Sequence, residues 1–403
     1  MLSCDRLHRI RPVDRQRREF LSLLARGLGV GLGGGMAAGA LLPSLAACTH
    51  KKFLNPDNDI LISGGQYPVS QYIQDALIII NMHQKEKRVI DLDFLPHQVI
   101  IDPKDKYRLF CVEAGGNNAC MIDIQSLQVM TQIQCSEGRY FSGYAAYDSA
   151  AKNLYTVEYD IDNMQGFVAV RDPASLQEKS LLPTLGQSPR QCQVTADNRL
   201  VINNNGQDAS GFHRPSLVII DLDTGKLVRR IRPDDKVMDV GAFTGIGNDS
   251  LFIASANMSG LDNVSAAITI ATADSVETLP TETSASNDIA LKMARGASNV
   301  LYDEVLDSVY TTHPHSDLIT RWDVGNRKMV KHLELQQPRA IAMSLDSKHV
   351  IVSYGAKATM IKLTSHDLSP LAESYVQPTH ATGTYMINWS KELRRIMPKD
   401  VYS

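Results

Sequence analysis

"LVIIDLDTGKLVRRI", Leu217 to Ile231, decides how this chain is read. A short apolar run, a polar turn opened by Asp221 and a second short run form a β-hairpin signature. The same form recurs along the chain. It reads "LIIINMHQKEKRVIDL" (77–92), "CMIDIQSLQVMTQI" (120–133) and "FVAVRDPASLQEKSLL" (167–182), and later "AITIATADSVETL" (267–279), "LITRWDVGNRKMVKHL" (318–333) and "TMIKLTSHDLSPLAES" (359–374). The turns open at Asn81, Asp123, Asp172, Asp221, Thr272, Asp323 and Thr364, at spacings of 42, 49, 49, 51, 51 and 41. Such residues suit the position because their side-chain oxygens bond the turn's own backbone amides.

Between the copies lies a second module of two strands, as in "HQVIIDPKDKYRLFCVEA" (97–114), "GYAAYDSAAKNLYTVEY" (143–159) and "RAIAMSLDSKHVIVSYG" (339–355). Four short antiparallel strands in a period of roughly 40–50 residues mark a propeller blade. Continuous runs such as "LVII" fit strands buried on both faces between stacked sheets. The ends supply the missing strands: "DILISGGQY" (59–67) precedes the first hairpin and "GTYMINWS" (383–390) follows the last. Pairing them would close a ring and remove an exposed edge. The predicted fold is therefore an all-β, seven-bladed β-propeller with N-/C-terminal strand closure, after an N-terminal signal segment. A β-sandwich array is the competitor, and the even spacing favours the ring.

The front end reads as an address. Arg6, Arg9, Arg11, Arg15, Arg17 and Arg18 outweigh Asp5, Asp14 and Glu19, and from Phe20 to Ala47 the only charge is Arg26. The stretch is glycine-rich, and each glycine costs a helix roughly 1 kcal/mol relative to alanine, which makes a poor permanent membrane span. "RREFL" (17–21) resembles the twin-arginine export signal, and "LAAC" (45–48) resembles the lipobox of bacterial lipoproteins, in which the cysteine is lipidated. An anchor that is never cut is the competing reading. The expected organisation is a twin-arginine-type signal peptide with lipobox over 1–47, a tether over 48–58 and a single propeller over 59–403. Arg17 and Arg18 would be the export signal and Cys48 the lipidation site. The resemblance implies a periplasmic, lipid-anchored protein of the outer membrane, because Thr49 rather than an aspartate follows the cysteine.

Residues 1–47 hold seven arginines and three acids, so the remainder carries 34 basic and 41 acidic residues, a net charge of −7. That balance argues against nucleic acid or an anionic lipid surface as a partner, leaving the lipid anchor as the membrane attachment. Beyond Cys48 the cysteines are Cys111, Cys120, Cys135 and Cys192, with no C-x-x-C pair, which disfavours zinc or thioredoxin-type sites. Cys111 and Cys120 flank a hairpin turn. An oxidising compartment would permit a disulfide there, and buried free thiols are the alternative.

"RPSLVIIDLDTGKLV" (214–228), "KNLYTVEYD" (152–160) and "SPRQCQVTADNRLVINNNG" (188–206) resemble an uncharacterised bacterial family of signal-bearing, WD-repeat-like propeller proteins, with "INWSKEL" (387–393) in place of its closing element. Members of that family are often encoded near imelysin-type iron-uptake proteins, which implies a link to metal homeostasis. The family places histidines where inner strands begin. His97 keeps one, whereas Arg190 and Gly241 stand where others are expected.

In a propeller, the loops entering the inner strands crowd one mouth of the central channel. The ligand- or partner-binding candidates there are His97, Arg190, His313, His315 and Arg339. The two arginines favour an anionic or chelated ligand over a free cation, because guanidinium offers a planar fork for carboxylate or phosphate. "EYDID" (158–162) spaces Glu158, Asp160 and Asp162 as hard oxygen donors for a metal, and a solvated loop is the plainer reading. Asn203 to Asn205 before Gly206 read as a turn. No nucleophile elbow, metalloprotease, P-loop or dinucleotide motif occurs, so no catalytic residue and no cofactor is implied. The expected function is a non-enzymatic envelope lipoprotein that binds a protein partner or a small anionic or chelated ligand. The alternative is a propeller redox enzyme or metalloprotein, loaded with its cofactor before twin-arginine export.

Overall fold

A computed structural model describes residues 53–206, 215–232, 240–246, 250–254, 268–279, 289, 292–293 and 296–398. Arg17, Arg18 and Cys48 lie outside them. Among the described residues the chain is all-β, built from antiparallel sheets, and no helix is long and apolar enough to cross a membrane.

The turn openers found in the sequence all do one job. Asn81 Oδ1 accepts from the amides of His83 and Gln84, Asp123 Oδ1 from Gln125 and Ser126, and Asp172 Oδ1 from Ala174 and Ser175. Asp221, Thr272, Asp323 and Thr364 bond their own turns in the same way. Accepting these amides holds the Asp172 carboxyl down to about 2. Four residues past the opener the backbone turns left-handed, at Lys85, Leu127, Leu176, Gly225, Arg327 and Leu368. Glycine is the residue that does so without a steric penalty, and only Gly225 in this set uses it. The ladder then slips by one residue beyond Met121, Val170, Ile219 and Arg321. A bulge of this kind increases the local twist, which stacked sheets require.

The strands fall into successive sets in chain order, of four strands each except the last, in which Ile341–Met343, His349–Tyr354 and Thr359–Thr364 make three. Pro96–Asp102, Asp105–Gly116, Asn118–Asp123 and Gln128–Gln134 form one set, and Arg139–Tyr147, Leu154–Asp160, Gln165–Arg171 and Glu178–Gln187 the next. These two are joined into one eight-stranded sheet where Ala114 pairs with Ser142 and Gly116 with Phe141. The sheet holding Ile60–Val69, Tyr72–Asn81 and Glu86–Leu92 takes its fourth strand from the far end of the chain. Met386–Asn388 lies antiparallel to Ile60–Val69, with Leu61 opposite Asn388 and Ser63 opposite Met386.

Each apolar cluster sits between two consecutive sets. Phe110, Met121, Phe141 and Leu154 fill one such gap, Val157, Val168, Leu200 and Val218 the next, and Tyr310, Ile319, Val350 and Leu363 another. One cluster joins the last set to the first, packing Ala340, Ile351 and Met360 against Leu61, Ile78 and Ile80. Burial on both faces is what the unbroken apolar runs required. Cys111 and Cys120 are direct cross-strand partners, and all four cysteines among the described residues are buried free thiols.

The tail departs from the sequence expectation. The strand stops at Asn388 and the helix Trp389–Ile396 follows. Asn388 caps it by accepting from the Lys391 amide, and Arg394 and Arg395 in the last turn complement the helix dipole. Trp389 is fully buried, donates Nε1–H to the Lys106 carbonyl at 2.7 Å and stacks on Tyr107. Asp59, almost wholly buried, completes the junction: its carboxylate accepts from Asn388 Nδ2 and the Leu345 amide at 2.6 Å each and pairs with Lys362.

Trp389→Ala is expected to cost about 3–5 kcal/mol, the usual range for emptying a buried aromatic site, and removal of residues 384–403 is expected to abolish cooperative unfolding. Thermal melts followed by circular dichroism check both. A truncated chain that melts within a degree or two of the full one would show that the tail is not integral.

Candidate functional site

His97 stands second in the strand Pro96–Asp102, and Gln98 beside it ties that strand to the next set by accepting the Ala145 amide at 2.6 Å. The imidazole meets the Tyr144 ring edge-to-face, with centroids 4.8 Å apart. Tyr144 in turn meets Tyr385 edge-to-face at 6.3 Å. Thr384 Oγ1 lies 3.5 Å from His97 Nδ1. Room for the imidazole depends on Gly143, whose φ of +101° is left-handed and whose missing Cβ would fall 2.8 Å from His97 Cδ2 and 2.6 Å from Ala114 Cβ. Between Phe141 and Ala145 the strand carries two more residues than its partner, and that bulge turns Tyr144 toward the histidine.

Arg190 opens the adjoining set. Its backbone carbonyl accepts from Ser142 Oγ at 2.8 Å, which places it next to the Gly143 bulge. The side chain is exposed, and among the described residues its guanidinium has neither a hydrogen bond nor an ion pair. Its charge nevertheless acts on the neighbours. Burial first, then the Arg190 cation, pull the His97 imidazolium down to about 4, so the ring is neutral at ordinary pH. Burial pushes the Tyr144 hydroxyl up, with Arg190 opposing. Burial also pushes the Cys192 thiol, in the Arg190 strand, up to about 12, which leaves it protonated.

The other candidates go elsewhere. His313 is buried between Thr311 Oγ1 at 2.8 Å and the Gly296 carbonyl at 3.2 Å, so both ring nitrogens are engaged inside its sheet. Burial lowers its pKa to about 4. His315 is exposed on the 3₁₀ turn Pro314–Ser316, whereas His313 is buried. Arg339 donates to the Gly355 carbonyl at 2.7 Å and to Gln337 Oε1 at 3.2 Å, and thereby braces a loop. Glu158 is fully buried and pairs with Arg171 at 2.7 Å and Arg139 at 3.2 Å, while Arg139 also holds Glu178. Asp160 accepts the amides of Asp162 and Asn163, which makes it a turn former. The acids of "EYDID" therefore do not converge, and no group of three or more metal-binding side chains exists among the described residues.

Asn203 and Asn204 belong to a strand instead of a turn. Asn203 accepts the Gln191 amide and donates to the carbonyls of Val240 and Gly241, binding one set to the next, and tertiary partners of this kind leave no local trace in sequence. A separate cavity of about 590 Å³ lies beside Asp59, His83, Lys85 and Lys362, and none of the site candidates lines it. Sequence reasoning missed Tyr144 and Tyr385. The one available signal was Gly143, which marks a bulge in an otherwise regular strand.

Three measurements follow from this geometry. Glu158→Gln is expected to destabilise by about 3–5 kcal/mol, because it leaves buried arginines without their counter-charge; a denaturant titration reads this directly. His97 and His313 have native pKa values below the ordinary 6.5, so the unfolded chain takes up their protons first and stability should fall as pH drops from about 6.5 to 4. Arg190→Ala should raise the His97 midpoint in an NMR titration, since a repelling cation is removed. An unchanged midpoint would mean that the two side chains do not interact.

No curated protein matches the chain. Among solved structures it is similar to hydrazine synthase of Kuenenia stuttgartiensis, with a TM-score of 0.60 and 14% identity, covering 83% of this chain and 99% of that one. It is also similar to a functionally unknown protein from Desulfotomaculum acetoxidans DSM 771, with TM-score 0.55 and 11% identity over 81% of this chain and 97% of that one. A third is the dihydro-heme d1 dehydrogenase NirN, with TM-score 0.53 and 11% identity over 84% of this chain and 77% of that one. At these identities the likeness is one of fold, and these neighbours are propeller-like. Residues 92–377, well over half of the sequence, match the family described as "Protein of unknown function (DUF1513)", and the chain belongs to that family.

Proposed function

We propose that this protein is a seven-bladed β-propeller, lipid-anchored at Cys48 after twin-arginine export to the periplasm, that binds an anionic small ligand where the strands led by His97 and Arg190 begin. The succession of sheets, each packed on the next in chain order, and the cluster joining the last to the first support a closed ring. Outer-membrane residence and a part in metal homeostasis belong to the same reading and rest on the sequence resemblances.

The observation that carries the ligand site is the contrast between its arginines. Arg139 and Arg171 are engaged by carboxylates and Arg339 by a carbonyl. Arg190 alone of the four has no side-chain partner among the described residues, and its charge acts on the neighbouring His97 and Tyr144. An unpaired guanidinium is a ready hydrogen-bond donor to carboxylate or phosphate.

Arg190→Ala is expected to leave the melting temperature within about 2 °C of wild type, as surface substitutions away from structural contacts do. It should also lose the small anions that co-purify with protein from the native envelope, as read by mass spectrometry of the heat-released fraction. Retention of the same anions by the variant would remove the basis for this site.

A further inference from the structure

We infer that the ligand is a transition-metal chelate bearing carboxylates, with His97 Nε2 entering the metal's coordination sphere and Arg190 pairing with a carboxylate. This rests on the reading of the Arg190 region as a ligand site and specifies what occupies it.

The first ground is the set of open groups. Thr384 Oγ1 lies 3.5 Å from His97 Nδ1; in the tautomer with the proton on Nδ1, Thr384 accepts it and Nε2 carries the lone pair. That nitrogen has no hydrogen-bond partner among the described residues. A histidine whose second nitrogen is held by a neighbour is oriented as metal-ligating histidines are. The ring is further fixed by the Tyr144 edge and by the close backbone at Gly143.

The second ground is what the site lacks. No cluster of three metal-binding side chains exists among the described residues, and the Arg190 cation repels a bare metal ion. One imidazole cannot hold an ion by itself, but it can complete the coordination of a metal that arrives already chelated. The chelator must then be anionic to suit Arg190, and carboxylates fit its fork. Imidazole suits iron, copper, nickel and zinc better than calcium or magnesium. Tyr144 and Tyr385 supply aromatic edges for an organic frame.

The test compares chelators with and without metal, on full-length protein purified from the envelope. Iron protoporphyrin is set against metal-free protoporphyrin, and copper(II) nitrilotriacetate against nitrilotriacetate. In at least one pair the metal form is expected to bind about tenfold tighter or more, a coordination bond's worth of selectivity, with a Soret shift or nitrogen hyperfine coupling as its signature. His97→Gln, which keeps the fold by circular dichroism, should erase both signature and preference, while Arg190→Ala weakens both members of the pair alike. Equal affinity for metal-loaded and metal-free forms in both pairs, or a preference that survives in His97→Gln, overturns the inference. Binding of the metal-free carboxylates that still depends on Arg190 would then leave the anion site standing. Binding of every probe unchanged by Arg190→Ala would sink that site as well.

Discussion

Asp59 sits where the two ends of the chain meet, and the arrangement of all the sheets depends on its contacts. Its carboxylate holds the tail through Asn388, the last set through the Leu345 amide and its strand through Lys362. A succession of sheets that each bury both faces needs a neighbour at both ends, since an end sheet would otherwise expose an apolar face and a strand edge. The strand Met386–Asn388 supplies the backbone pairing, Trp389 the apolar seal over Lys106 and Tyr107, and Asp59 the polar lock. Asn388 serves twice, donating to Asp59 and capping the helix that carries Trp389.

Charge is handled in two opposite ways within adjoining sets. In one, Glu158, Arg139, Arg171 and Glu178 form a chain of ion pairs across all four strands, with Arg171 also lying over the Phe141 ring. Buried charges survive only when so compensated. In the next, Arg190 is left open and its field bears on His97 and Tyr144 instead. The first arrangement stiffens the sheet from which the second is presented, through the bulge at Gly143 and the bond from Ser142 to the Arg190 carbonyl. A rigid wall behind an open group favours binding, because little ordering remains to be done when the ligand arrives.

Family membership and structural likeness bear on fold more than on chemistry. A hydrazine synthase, a dihydro-heme d1 dehydrogenase and a functionally unknown protein share the shape at 11–14% identity. One scaffold hosts many chemistries, and what distinguishes them is the set of side chains at the strand ends. For this chain the proposed set is His97, Tyr144, Arg190 and Tyr385.

The sequence by itself determined the hairpins. Asp123 and Asp172 accept amides two and three residues away, Asp221 and Asp323 the amide three away, and so local a contact is written in residue order. It determined the buried strands as well, because runs such as Leu217–Ile220 have no polar face to offer water. It did not determine the site. His97, Tyr144 and Arg190 come from three different strands and Tyr385 from the segment just before a fourth, and they meet only after the sheets stack, while the Gly143 bulge that turns Tyr144 inward depends on pairing with a strand further along. His313 and Glu158 looked as functional in sequence as His97 did. Tertiary structure separated them, because burial gave His313 both its hydrogen bonds and Glu158 its two arginines, while it left Arg190 with none.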